Sequence, residues 1–148
     1  RYADLKPGIL LLTSAYHGGF VQSTWAYSCR SFFVGAIGAE HCRSEIRNPL
    51  GQVISSSPNY FDFTVASINL DSRLAHLDFN WERLKALKEK YGNAVTINDP
   101  GNIGVVLISS EDKNVKTDQM IKEFDIELLD HYLNRARAYR LAHGNVIR

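Results

Sequence analysis

The 148-residue sequence predicts an α/β fold on three observations. Apolar runs of strand length, "ILLLTS" at 9 to 14 and "SFFVGAI" at 31 to 37, flank a short helical segment. Alternating apolar and polar residues then surround an "NPLG" turn, the pattern of a hairpin. From residue 79 onward the apolar period changes to that of helices.

The elements follow in order. "GILLLTSAYHGGF", 8 to 20, is a strand running into a polar, Gly-rich loop; Gly18 and Gly19 let the backbone turn sharply or approach a ligand. "STWAYSC", 23 to 29, opens with a capping residue and reads as a short helix. After the strand 31–37, residues 43 to 56 form the hairpin, with Pro49 entering its turn and Gly51 leaving it. "SSSPNYFD" is loop, and "FTVASINL", 63 to 70, alternates as a further strand. Asp71 or Ser72 could cap a turn of helix. "FNWERLKALKEKYGN" sets Trp81, Leu84, Leu87 and Tyr91 on one helical face, with Gly92 and Asn93 as its stop. "NIGVVLISS", 102 to 110, is a strand. A long helix spans about 117 to 142, striped by Ile121, Phe124, Leu128, Leu129, Tyr132 and Leu133. Its acidic start and basic end complement the helix dipole.

Composition narrows the function classes. A net charge of +1 with 22% charged residues gives no electrostatic reason to expect nucleic acid or an anionic membrane. No apolar run reaches the roughly 18 residues of a membrane span. Two cysteines, Cys29 and Cys42, make no disulfide framework, so a reducing, cytoplasmic location is expected.

Residue chemistry by itself yields no catalytic set. His41 and Cys42 adjoin, but neighbours on a strand face opposite ways and could not ligate one metal; no metal and no cofactor are expected. His131 and His143, twelve apart on one helix, do not converge. Glu123 and Glu127 would share a helical face as a solvated pair, and "RARAYR" reads as a solvated helix end. Cys29 and Cys42 lack an activating neighbour other than His41. No phosphate-binding Gly loop and no GxSxG elbow occurs.

The order of the pieces is more specific. The strand with "TSAY", the helix "WAYSCR", the strand "SFFVGAI", the hairpin "SEIRNPLGQVI" and "FTVASINLD" together resemble the C-terminal half of the nitrilase, or carbon–nitrogen hydrolase, superfamily over about residues 4 to 75. Ser44, Ile46, Pro49, Gly51 and Val53 match the hairpin motif, and Ile68, Leu70 and Asp71 the strand after it. Cys29-Arg30 stands where that family has Glu-Asn, Gly38 closes the second strand, and Glu45 replaces an apolar residue.

The resemblance implies half of a four-layer αββα sandwich, residues 1–78, followed by a C-terminal extension, 79–148, suited to oligomerisation. It implies hydrolysis at a non-peptide C–N bond of a small amide, carbamoyl compound or nitrile. The Cys nucleophile, Glu base and Lys oxyanion donor of that chemistry would all lie upstream of residue 1. Tyr16 is then the foremost pocket-lining candidate, with Ser14, Ala15 and His17 behind it. A half-sandwich exposes an apolar sheet face, so association with the missing half or a homo-oligomer is expected. The alternative is a non-catalytic assembly module with the same half-fold.

Overall fold

A computed structural model describes residues 2–16 and 18–144. The chain divides into two compact units, Arg1–Leu70 and Asp71–Arg148. The division thus falls eight residues earlier than the expected boundary after residue 78. The reason is sheet pairing: residues 72–76 belong to the sheet of the second unit.

The first unit contains α1 (Tyr2–Leu5), β1 (Ile9–Ser14), α2 (Phe20–Cys29), β2 (Phe32–Ile37), β3 (Glu45–Arg47) and β4 (Val53–Ser56). Its sheet runs β1-β2-β3-β4; β1 and β2 are parallel, and the other pairs antiparallel. A parallel pair requires a crossover, and α2 supplies it. Gln22, Ala26 and Cys29, at helical spacing, are its buried residues. The Trp25 and Phe33 rings meet at 6.3 Å. The helix ends on Arg30 in the left-handed region at φ 57°, and the Ser31 N–H closes the turn onto the Ala26 carbonyl at 3.0 Å. Gly35 lies where α2 crosses β2, and a Cβ there would stand 2.5 Å from Gln22 Oε1, so the Gln22 side chain would have to shift.

The hairpin forms where expected. Asn48 Oδ1 accepts from the N–H groups of Leu50 (3.0 Å) and Gln52 (3.1 Å), and the Gly51 N–H closes onto the Asn48 carbonyl at 2.8 Å. Gly51 holds φ 83°, and its carbonyl accepts from Ser23 Oγ of α2 at 3.0 Å, which anchors the turn on the helix.

Residues 63–70 form no strand, contrary to their alternation. Here the Ser55 hydroxyl bonds Thr64 Oγ1 (2.5 Å) and the Val65 carbonyl (3.1 Å), so side chains take the place of a backbone ladder beside β4. Edge strand β1 leaves Ile9 and Leu11 exposed, Leu11 at 77%.

The second unit contains β5 (Ser72–His76), α3 (Trp81–Tyr91), β6 (Val95–Asn98), β7 (Val105–Ser110), α4 (Thr117–Glu123) and α5 (Leu129–Ala142), with a 3₁₀ turn at Gly92–Ala94. Its antiparallel sheet runs β5-β7-β6, and all six residues of central β7 are buried. Leu84, Leu87, Val95, Ile108, Met120 and Ile126 belong to its core.

Three expectations fail here for identifiable reasons. Asp71 and Ser72 start no helical turn: residues 72–76 pair along β7, and the Asp71 carboxylate instead accepts the Thr117 N–H at the start of α4 (3.3 Å). The single helix over 117–142 is two. Asp125 takes φ 49°, Ile126 is buried, and the backbone N–H and C=O of Glu127 are bound by the Asn80 side chain, so tertiary bonds replace helical ones. Trp81 is not on the buried face with Leu84 and Leu87; it is 62% exposed at the first turn of α3, and Tyr91 is half-buried. β6 has no counterpart in the sequence reading.

Asn80 is of a residue type that usually caps helices. It precedes α3 but makes no side-chain cap bond. Fully buried, it donates from Nδ2 to the carbonyls of His76 (2.7 Å) and Glu127 (2.9 Å), and its Oδ1 accepts from the Glu127 N–H (3.0 Å). One amide thereby ties the end of β5 to the segment entering α5. Among the described residues, no helix is long and apolar enough to cross a membrane.

Candidate functional site

In open α/β sheets, ligands bind beyond the carboxyl ends of parallel strands. The first unit has one such place, at the ends of β1 and β2. The ladder continues one residue past them, with the Gly38 N–H donating to the Ser14 carbonyl at 2.8 Å. Residues 38–44 then loop back to β3. His41 holds φ 62°, and the Cys42 N–H closes onto Ala39 at 3.2 Å. Ser44 and Ser57 clamp the open end of the hairpin. The Ser44 N–H donates to Ser57 Oγ (3.0 Å), the Ser57 N–H donates to the Ser44 carbonyl (2.8 Å), and Ser44 Oγ accepts from the Ile37 N–H (3.1 Å).

This clamp brings the loop 38–44 beside residues 57–62 and leaves two adjoining clefts. The larger, 760 Å³, is lined by residues that include Glu40, His41, Cys42, Arg43, Asn59 and Asp62. The other, 600 Å³, is shallower and lies over Thr13, Ser14, Ala15 and Ala36. Ile37, Gly38, Ser44 and Asp62 line both.

Of the residues singled out in the sequence, Ser14 and Ala15 line the shallower cleft. Tyr16 is 81% exposed and lines neither; its N–H donates to Ser14 Oγ at 3.1 Å. His17 lies outside the described residues. His41 and Cys42 are not strand neighbours, because β3 begins only at Glu45; both line the larger cleft. Cys29 is buried in α2. No group of three His, Cys, Asp or Glu able to hold a metal occurs among the described residues.

Glu40, Arg43, Asn59 and Asp62 escaped the sequence reading. A signal for them existed: a hairpin necessarily brings together the chain on either side of its open end. "GAEHCR" and "SSPNYFD" flank that end and are both polar.

The second unit carries a charged and aromatic cluster closed on itself. His76 stacks on Tyr132 at 3.7 Å, the Tyr132 hydroxyl donates to Asp78 Oδ2 at 2.8 Å, and the Asp78 N–H donates to His76 Nδ1 at 3.0 Å. Arg135 grips Glu127 through two bonds of 2.9 and 2.8 Å. The Arg135 hydrogen bonds hold the Glu127 carboxyl below the usual carboxylate range, and the bond to Asp78 raises the Tyr132 phenol. Glu123 and Glu127 do not share a helical face. Glu123 accepts from Lys90 and Tyr91, which holds its carboxyl low too.

No family model, curated protein or solved structure matches the chain.

Proposed function

We propose that the chain is the C-terminal half of a carbon–nitrogen hydrolase, acting on a small amide, carbamoyl compound or nitrile in a cytoplasmic setting. The Cys, Glu and Lys of the reaction would come from sequence upstream of residue 1, and no cofactor takes part. The observation that carries this reading is the path of the first unit. Strand, crossover helix, parallel strand and antiparallel hairpin follow in one sheet, with the clefts at the carboxyl ends of the parallel pair.

The motif residues supply that path. Ile46 is buried in β3, Gly51 makes the left-handed turn, and Ser44 closes the hairpin on β2. The edge of β1 offers room for a further strand, and the exposed Ile9 and Leu11 suit coverage by the other half of a sandwich. In the complete enzyme the thiolate attacks the substrate carbon while the ammonium holds the developing oxyanion. Ser14 and Ala15 form one wall of the pocket, and Tyr16 presents a phenol at its rim.

The test is the intact mass of the native protein and the sequence preceding Arg1, followed by hydrolysis assays on amides, carbamoyl compounds and nitriles. A Glu, a Lys and a Cys upstream, with activity lost on thiol alkylation, is the expected result. A native chain lacking those residues refutes it. In the active protein, Tyr16→Ala is expected to lower kcat/KM; unchanged values for both Tyr16→Ala and Tyr16→Phe would remove Tyr16 from the pocket.

A second reading, a homo-oligomeric assembly module, draws on α5. Only Leu129 is buried on this helix, and Tyr139 and Leu141 are 64% and 58% exposed. Helices of this length are marginal in water without a packing partner. Sedimentation equilibrium decides it: a monomer at all concentrations excludes the module.

A further inference from the structure

Five acid–base pairs close on one another among the described residues. Glu45 pairs with Arg47, Asp118 with Arg73, Asp125 with Arg83, Glu123 with Lys90 and Glu127 with Arg135. The larger cleft gathers charged side chains that stand outside these pairs. Glu40, His41, Arg43 and Asp62 all line it, and no ion pair joins any of them among the described residues. Among the described residues, the hydrogen bond these side chains make is a long one, 3.4 Å, from Arg43 to Asn59 Oδ1 across the cleft. A concave site holding both signs of charge, neither compensated internally, is complementary to a ligand that carries both.

We propose that this cleft binds a small zwitterion, a molecule bearing a carboxylate and a protonated amine. Arg43 receives the carboxylate, since its planar fork matches two carboxylate oxygens with two N–H donors. Asp62 and Glu40 receive the ammonium. With two carboxylates against one guanidinium, a simple anion meets net repulsion, and a simple cation leaves Arg43 without a partner. Either lacks half of the available bonds. The Ser44–Ser57 clamp fixes both walls to the sheet, so the charged groups project from a frame that exists before the ligand arrives. The inference stands on the charges of the cleft and not on hydrolysis, and it is tested by binding, so the two proposals fail independently.

The experiment titrates the full chain with glycine, β-alanine and γ-aminobutyrate, each beside its matched alkylamine and alkanoate, by calorimetry and by backbone amide shifts. At least one zwitterion is expected to bind about tenfold more tightly than both of its singly charged analogues, the worth of one charge-assisted bond. Its shifts map to 38–44 and 57–62. Arg43→Gln is expected to weaken the zwitterion about tenfold while leaving the alkylamine unchanged, and Asp62→Asn to weaken both amines. Arg43 and Asp62 are exposed, so these variants keep the fold, which their amide spectra verify. No preference for any zwitterion over its analogues overturns the proposal. So does a preference that survives both substitutions, or shifts that map elsewhere.

Discussion

Asn80 offers a sharp separation between a local and a tertiary role. Its place ahead of α3 suggests a cap, for which Asp and Ser are equivalent substitutes. The structure instead gives its amide three bonds, two donated and one accepted, to backbone groups of His76 and Glu127. At about 1 kcal/mol net for each bond, Asn80→Ala costs the second unit about 3 kcal/mol. Asn80→Asp should cost at least as much. It keeps the acceptor for the Glu127 N–H but turns a carboxylate oxygen toward carbonyls that now stand 2.7 and 2.9 Å from a donor nitrogen. The assay is urea unfolding followed by Trp81 fluorescence in a Trp25→Phe background, which isolates the second unit. With a slope of about 1.5 kcal/mol per molar, the midpoint falls by about 2 M for both variants. If Asn80→Asp matches the parent while Asn80→Ala loses about 1 kcal/mol, Asn80 is a cap and the bridging account is wrong.

Two further outcomes follow from burial and from charge. Leu87→Ala, at a fully buried position in the core of the second unit, should lose about 3 kcal/mol, whereas Trp81→Ala, 62% exposed, should lose under about 1 kcal/mol; comparable losses in denaturant would refute the packing described for α3. The Arg135 bonds depress the Glu127 carboxyl, so their contribution is complete above the unfolded value of about 4.3 and is lost as pH falls through the lower folded value. Thermal unfolding of Arg135→Gln should therefore differ from the parent near neutral pH and converge with it in acid; a constant difference would show that the pair acts without titrating.

The elements visible in the sequence are those whose driving force is local. β1, β2 and the 43–56 hairpin form as read, because an apolar run of strand length or an Asn-Pro-Leu-Gly turn dictates its own backbone. Leu84 and Leu87 are buried on α3 as their spacing requires. Of the candidate site, Ser14 and Ala15 were legible as pocket residues, whereas His41 and Cys42, which line the larger cleft, were weighed only as a metal ligand and a thiol.

What the tertiary structure alone decided is every feature in which a distant partner outbids a local preference. Residues 63–70 alternate like a strand, yet Ser55 meets them through its side chain, so no ladder forms. Residues 117–142 carry one helical stripe, yet burial of Ile126 and the Asn80 bonds to Glu127 break it in two. The larger cleft joins segments that a hairpin separates along the chain and closes together in space. Periodicity records which face of an element is apolar. It carries no record of which remote hydrogen-bonding group will claim that element's backbone, and in this protein those claims set both the boundaries of its elements and the lining of its site.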